Sequence, residues 1–507
     1  MKKFMDRLRS LFAKDRQTAT LATCLMIAAV VLFNVIIFTL TSAFGLYIYT
    51  KEYTDLSISG NTDSLFSEIS KGREVTVTFC MEEEKLKEHD TGSYVYKTVS
   101  QLRERYDFIK VKYVNMLTKR DENGELFPLE KYKVDMRGNK AEIRSNTVIF
   151  SSGANYRTVT DTYSSAGFAD FFSLDSTGAA YAYCGEEIVA GMIAWVLNDE
   201  HGVAYMTEKH GETADLAFAN ILTCAGYYIE TLNLRDREVP SDAELVVISN
   251  PTTDFYRLGE GVTGRSELER LESYLSSGGS LYVSIDPLAR RLPILEGFLT
   301  EWGIELYGTE NDDGTYTRAL VKDSDMGVSG DGYSFIAGFA DSAVGREVHT
   351  AVSTVTDGRV LVSSSAAIKL DGAKDTGALL SASDSASLVA GGRTVDSEGG
   401  YAVAAYSKRQ NDNGTEGCVV VVPTVYLTAA DALSSAGYAN RDFLYATLSE
   451  ALGARSMPIG CNVSGYESDI LENFTMKDAR IFTALILAVP AVLAVAGGFI
   501  IIRRKNR

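Results

Sequence analysis

The sequence lacks the short motifs by which many enzymes are recognised. It contains no G-x-x-x-x-G-K-[ST] phosphate-binding loop, no G-x-S-x-G or G-x-C-x-G nucleophile elbow and no H-E-x-x-H metal pair. Histidine is scarce, with four residues in 507, which limits histidine-based metal sites and general bases. These absences predict a chain that is not an enzyme, binds no metal or cofactor, and leaves any ATP hydrolysis to another polypeptide.

Cysteine is also sparse, and its distribution argues against a disulfide scaffold. Five of the six cysteines lie outside the first apolar run, an odd number at irregular spacings, whereas small secreted scaffolds are dense in paired cysteines. We expect most of them to be small buried apolar residues. One disulfide remains an alternative, and the sequence does not assign its two cysteines. The six are Cys24, Cys80, Cys184, Cys224, Cys418 and Cys461.

One glycine motif formally matches a dinucleotide fingerprint. Gly259, Gly261 and Gly264 have the G-x-G-x-x-G spacing, but that fingerprint requires the first glycine to follow a strand at once. Several residues separate this motif from the nearest apolar strand pattern. We therefore interpret it as a flexible approach to a helix that begins at Ser266.

Charge is strongly acidic overall but basic at both ends. The net charge is −18, while residues 1–17 and the last five residues each carry +4, so the stretch between them carries −26. An acidic chain is a poor candidate for nucleic-acid binding, which depends on clustered Lys and Arg.

Two long apolar runs adjoin these basic ends. No charged residue occurs within residues 17–50 or 481–502, and about 20 apolar residues suffice to cross a bilayer as a helix. We predict one transmembrane helix in each run, with both basic ends cytoplasmic and the acidic stretch extracytoplasmic. The alternatives are a cleaved signal peptide for the first run and buried core helices for both.

The domain prediction follows from these runs and from the patterns between them. We expect a cytoplasmic tail (1–17), a transmembrane helix (18–49), an N-terminal α/β extracytoplasmic region (51–185), a parallel α/β domain (186–308), a β-rich or loop insertion (309–400), a C-terminal strand and helix that complete the α/β domain (401–455), a linker (456–479), a second transmembrane helix (481–502) and a cytoplasmic tail (503–507).

Alternating strand and helix patterns predict the α/β class. A first βαβ unit lies between Val75 and Val114, and the strongest alternation runs from residue 202 to residue 302. There, continuous apolar stretches such as residues 245–248 are typical of buried parallel strands. Ser266 and Glu269 have the spacing of a capping box that starts a helix.

The order of these features resembles the auxiliary subunit of Gld-type (gliding-motility-type) ABC transporter systems. The resemblance covers most of the chain and is weakest between residues 309 and 400. Lys209 stands where the family usually has the first glycine of a Gly-His-Gly-Glu turn. The matching motifs are His210-Gly211-Glu212, Ala225-Gly226-Tyr227, Asn233-Leu234, Pro240-x-Asp242-Ala243, Leu275-x-x-Gly278-Gly279-Ser280-Leu281, Asp286-Pro287, Trp302-Gly303-Ile304 and Asn440-Arg441-Asp442-Phe443.

The resemblance implies a fold, a role and partners. The implied fold is a glutamine-amidotransferase-like parallel sheet, and the implied role is a non-catalytic auxiliary membrane subunit with a substrate- or envelope-binding domain. The implied partners are a multi-span permease, a separate cytoplasmic ATPase and membrane lipid; gliding itself does not follow. Small residues spaced along the second apolar run favour a partner helix there. They are Ala484, Ala488, Ala491, Ala494 and Gly498.

Candidate ligand-binding residues lie in two places. His210, Gly211 and Glu212 follow a predicted parallel strand and Asp286 follows another, and ligands of open α/β sheets bind at that edge. The alternative is structural: Glu212 would cap the next helix, and Asp286 would form a turn with Pro287. The second place, implied by the resemblance, is the turn of Asn440, Arg441 and Asp442.

Two other functions compete with the transport role. One is a standalone membrane-anchored module that binds glycan or peptide. The other is an envelope hydrolase with an amidotransferase-like fold, which would need a nucleophile and a base in hydrogen-bond reach within a crevice.

Overall fold

The computed structural model describes residues 56–465, except 70–71, 161–167, 175–179, 258–263, 312–313, 329, 357, 436 and 456. These residues belong to a unit that begins at Leu56. Several predictions lie outside them: both apolar runs, the two tails, Cys24, the small-residue stripe, most of the linker, and Gly259 and Gly261 of the glycine motif.

Within the described ranges, no helix has the length and apolar character needed to cross a membrane. This finding contradicts the prediction of two transmembrane helices, and with it the membrane location and the extracytoplasmic placement of the main domain. The two apolar runs on which that prediction rested are themselves outside the described ranges.

The first sheet has five strands in the order β3-β2-β1-β4-β5. Strands β1 and β2 are parallel and joined through helix α3, which confirms the first βαβ unit; the other pairs are antiparallel. The elements are α1 (Asn61–Ile69), β1 (Val75–Phe79), α2 (Glu83–Glu88), α3 (Gly92–Arg105), β2 (Ile109–Asn115), β3 (Arg120–Asp121), β4 (Val148–Ser152) and β5 (Asn155–Val159).

Helix α4 (Gly185–Leu197) connects this sheet to the rest of the unit. It contacts β4 and β5 on one side and helix α5 (Leu216–Cys224) on another, and all 13 of its residues are buried. A helix that is apolar all round belongs in a core, which explains the dense run from Ile188 to Leu197. Two short strands, β6 (Phe172–Leu174) and β7 (Ala180–Tyr183), precede it.

The larger sheet contains five parallel strands in the order β9-β8-β10-β11-β23. Because β9 and β10 lie on opposite sides of β8, the strand order reverses at β8. The carboxyl ends of β8 and β10 therefore flank the usual ligand crevice of such sheets. The elements are β8 (Val203–Thr207), β9 (Tyr228–Leu232), β10 (Ala243–Ser249), α6 (Glu267–Leu275), β11 (Ser280–Ser284), α7 (Pro293–Glu301) and β23 (Glu416–Val422).

Beyond β23 the same sheet becomes antiparallel, and this corrects the predicted fold class. Strands β22, β19, β16 and β17 continue it in that order, and β12 and β18 join beside β22. The described chain is therefore a mixed α/β protein with many antiparallel pairs, not a parallel-sheet, amidotransferase-like domain. These strands are β12 (Ile304–Leu306), β16 (Ser334–Phe339), β17 (Val360–Ser363), β18 (Ile368–Leu370), β19 (Asp375–Ser381) and β22 (Ala402–Gln410).

The remaining elements lie outside the two main sheets. Two small sheets pair β13 with β14 and order β15-β20-β21, and β24 pairs with β7. The elements are β13 (Gly308–Glu310), β14 (Tyr316–Arg318), β15 (Leu320–Lys322), α8 (Ala343–Ser353), β20 (Ser387–Ala390), β21 (Arg393–Asp396), α9 (Ala430–Leu433), α10 (Asn440–Glu450) and β24 (Ser464–Gly465).

The two ends of the described range meet at the first turn of α4. Glu186 accepts hydrogen bonds from the backbone and hydroxyl of Ser59 at 2.8 and 2.7 Å, and from the Thr62 hydroxyl at 2.6 Å. The same carboxylate accepts from the backbone N–H of Asn462 at 2.9 Å. One buried side chain thus joins residues 59–62 to residue 462.

Candidate functional site

The turn after β8 has a backbone that favours glycine. Lys209 and Gly211 have φ values of 84° and 69°, in the left-handed region that L residues with side chains adopt at a cost. A Cβ on Gly211 would lie 2.2 Å from the hydroxyl of Thr252. Lys209, at the position where the resemblance leads one to expect a glycine, thus has a glycine-like conformation.

His210 is completely buried and held on three sides. Its Nδ1 lies 3.0 Å from Glu212 Oε1, and its Nε2 lies 3.0 Å from Glu267 Oε1. Its ring stacks on Phe255, with centroids 4.1 Å apart and planes within 10°. Glu267 also accepts from the backbone N–H of Tyr256 at 2.6 Å. The imidazole therefore has no free edge toward solvent.

The carboxylates keep this histidine protonated. Burial alone would lower the pKa of His210, but hydrogen bonds from its ring to Glu212 and Glu267 outweigh burial and raise the pKa to about 9. Burial works against both carboxylates as well, yet their bonds to His210 lower the pKa of each. Arg235, 3.4 Å from Glu267, brings a second positive charge to the two acids. The cluster is a compensated ionic group rather than a poised acid–base pair.

The crevice between β8 and β10 is closed by backbone hydrogen bonds. The carbonyl of His210 accepts from the N–H groups of Thr252 and Thr253 at 2.9 and 2.8 Å. Behind them, Thr213 N–H donates to the Ser249 carbonyl at 3.0 Å. The turn after β8 and the turn after β10 therefore bond to each other where a small ligand of this fold class would otherwise enter.

The structural alternative was a turn for Asp286 and a helix cap for Glu212. It holds for Asp286 and fails for Glu212. The Asp286 carboxylate accepts from the backbone N–H of Leu288 at 2.9 Å, so it forms a turn at the end of β11 and does not contact His210. Glu212 does not cap the following helix. Asp215 caps α5 by accepting from Ala217 N–H, while Glu212 binds His210.

The second predicted place is separate from the first and is built into the core. Asn440 forms two hydrogen bonds with the backbone of Leu361, accepting at 3.0 Å and donating at 2.7 Å, and so covers the open edge of β17. Asp442 accepts from Gly460 N–H at 2.7 Å.

Arg441 is the centre of a buried ionic group at the start of α10. It lies 3.3 Å from Glu187 and donates to the carbonyl of Cys461 at 2.6 Å, and Tyr445 donates its hydroxyl hydrogen to Glu187. Burial opposes the charge of Arg441, but Glu187 and Asp442 outweigh it and raise the pKa of Arg441. These contacts join α10 to α4 and to the C-terminal end of the described range.

Sequence reasoning missed Glu267 and Phe255, which complete the His210 cluster. Glu267 directly follows the capping serine of α6. Because acids are common in the first turn of a helix, its position gave no sign of a contact elsewhere in the chain. Its contact with His210 joins residues 57 positions apart. The only signal in the sequence was the additional acid beside the capping box.

The described cysteines are poor nucleophiles in their surroundings. All five are free and buried. Burial raises the pKa of Cys184 to about 11 and the pKa values of Cys80 and Cys418 to about 12, and it also raises those of Cys224 and Cys461. Across the described ranges, no group of three or more His, Cys, Asp or Glu side chains could hold a metal ion.

Comparisons with known proteins give a few faint structural similarities. No protein-family model and no curated protein matches the chain. Among solved structures, the mmIFT52 N-terminal domain is 14% identical, with a TM-score of 0.36, over 49% of this chain and 96% of that one. PurLQS from Thermotoga maritima is 13% identical, with a TM-score of 0.28, over 49% and 98%. A putative ThuA-like protein from Bacteroides uniformis is 12% identical, with a TM-score of 0.30, over 49% and 90%. At these TM-scores the likeness carries no argument about function.

Proposed function

We propose that this chain is a non-catalytic auxiliary subunit of an ABC transport system, in which its α/β unit acts by binding. The resemblance to the Gld-type auxiliary subunits supplies the system, and the geometry of the sheet edge supports a non-catalytic role. The partners are a permease and a separate ATPase, because the chain has no phosphate-binding loop of its own.

The observation that carries the proposal is the closed crevice at His210. An enzyme of this fold class needs an accessible nucleophile or acid–base group at the carboxyl edge of the sheet. Here the turn after β8 is bonded to the turn after β10, and His210 at that edge is enclosed by two carboxylates and a phenylalanine ring. The same geometry weighs against the hydrolase alternative.

Affinity purification from the native cell tests the proposal. The full-length chain, tagged and extracted in mild detergent, is expected to recover a permease and an ATPase in fixed proportion to itself. An unrelated protein with the same tag and expression level is the control. Recovery of the chain alone, while both partners are present in the extract, would contradict the transport role and favour a standalone binding module.

A further inference from the structure

A small cavity opens between the outermost strands of the two sheets. Strand β5 ends the five-stranded sheet and β9 ends the parallel part of the larger sheet; they form two walls, and residues 135–141 form a third. Its volume is about 180 Å³. This is large enough for several water molecules or for one small polar group.

Arg157 of β5 lines this cavity; its side chain forms no hydrogen bond or ion pair with an acid in the described part of the chain, although the charge of Asp135 acts on it. Its guanidinium carbon lies 5.2 Å from the ring centroid of Trp195 and 5.3 Å from that of Tyr228. Burial lowers the pKa of Arg157. Arg157 is half-buried, and an arginine among aromatic rings is normally paired with a carboxylate, because even partial removal of a lone charge from water is costly.

The acids that line the cavity already have partners. Asp135 accepts from the backbone N–H groups of Arg137 and Asn139 at 2.9 and 2.8 Å. Glu230 lies 3.2 Å from Arg137 Nε and accepts from the Asn139 amide at 3.1 Å. Lys140, exposed on the same wall, forms no ion pair with a described residue. Within the described part of the chain, the side chains of both lining acids are therefore hydrogen-bonded, whereas those of the two lining cations, Lys140 and Arg157, form no hydrogen bond or ion pair.

We propose that this cavity binds a carboxylate, which Arg157 holds between the aromatic walls. The planar guanidinium matches a carboxylate through two parallel hydrogen bonds. A phosphate is a poorer fit, because phosphate sites usually combine several cations with the N-terminus of a helix, and no helix lines this cavity. The carboxylate belongs either to a free small acid or to the C-terminus of a peptide. The inference does not depend on the transport role.

The two tryptophans offer a reporter and a matched control. Trp195 adjoins Arg157. The ring centroid of Trp302 lies 3.9 Å from the guanidinium carbon of Arg409, and Arg409 already forms an ion pair with Glu272 at 2.7 Å. The full-length Trp302→Phe chain is titrated with acetate, benzoate, tetra-alanine with a free or amidated C-terminus, acetamide and inorganic phosphate. Calorimetry on the unmodified chain gives the same affinities if that variant does not fold.

The expected result is saturable quenching or enhancement of Trp195 fluorescence by carboxylates, and none by acetamide. Arg157→Gln should weaken carboxylate binding at least tenfold, Arg157→Lys several-fold, and Arg409→Gln not at all. Tighter binding of free than of amidated tetra-alanine assigns a peptide terminus, and preference for acetate or benzoate assigns a small acid. The proposal is overturned if phosphate binds more tightly than every carboxylate, if no probe binds, or if a folded Arg157→Gln chain binds normally.

Discussion

At the scale of single residues, His210 holds the carboxyl edge of the parallel sheet closed. Its side chain bonds both to the turn after β8, through Glu212, and to the start of α6, through Glu267. The sequence indicated His210 and Glu212 because both follow a predicted strand. It could not indicate their ionic partner, since that contact depends on how α6 lies against the sheet.

Replacing His210 with asparagine tests the ionic cluster. The change removes the buried cation that lies between two carboxylates, so the free energy of unfolding should fall by about 3 kcal/mol, as for other broken buried ion pairs. Urea unfolding at neutral pH measures this. His349→Asn is the matched control, because His349 is exposed and stacks on Phe339. Equal losses in the two variants would mean that the His210 cluster contributes nothing specific.

The same cluster predicts a pH dependence. The pKa of His210 is raised from about 6.5 in an unfolded chain to about 9, so its contribution is fully present below pH 6.5 and is lost as the pH rises through about 9. The difference in stability between wild type and His210→Asn should therefore shrink from pH 6.5 to pH 9.5. A difference that stays constant across this window would show that His210 is not protonated in the folded state.

Lys209 offers a change that should stabilise the chain. Its φ of 84° costs a residue with a Cβ about 1 kcal/mol, and its ion pair with Glu208 is long, at 3.8 Å, and exposed. Lys209→Gly is expected to raise the free energy of unfolding by up to about 1 kcal/mol. Lys112→Gly, in the middle of β2, should lower it. Destabilisation by Lys209→Gly would argue against a strained backbone at this position.

At the scale of elements, local patterns gave the parallel strands and their helices. The apolar run of residues 245–248 lies in β10, and Ser266 with Glu269 forms the predicted capping box at the start of α6. The antiparallel strands β16, β17 and β19 could not be read in the same way, because they come from segments rich in Gly, Ser and Asp. β17 pairs with β16, β16 with β19, and β19 with β22, and these pairings are set by contacts distant in sequence rather than by local pattern.

Asn440 shows how a side chain can complete an element. Because β17 is the last strand of its sheet, Leu361 would have an open N–H and carbonyl without the Asn440 amide. Asn440→Ala should cost about 2 kcal/mol of stability and speed the hydrogen exchange of the Leu361 amide. Asn413→Ala, on an exposed turn, is the control. An unchanged exchange rate at Leu361 would mean that another group covers this edge.

At the scale of the whole molecule, the expectation of a parallel-sheet domain was too simple. Its parallel strands exist, but they make up less than half of an eleven-stranded mixed sheet. Periodicity distinguishes strands from helices and does not fix which strands become neighbours, so the antiparallel extension beyond β23 was not visible. The meeting of residues 59–62 and 462 on Glu186 was hidden for the same reason.

The sheet edge at His210 is closed by backbone hydrogen bonds, and the proposed non-catalytic role rests on that closure. Hydrogen exchange of the Thr252 and Thr253 amides in the isolated full-length chain tests it most directly, because both donate to the His210 carbonyl. Both amides should exchange as slowly as those of the neighbouring strand β10. Exchange at the rate of an open loop would show an accessible crevice and contradict the account.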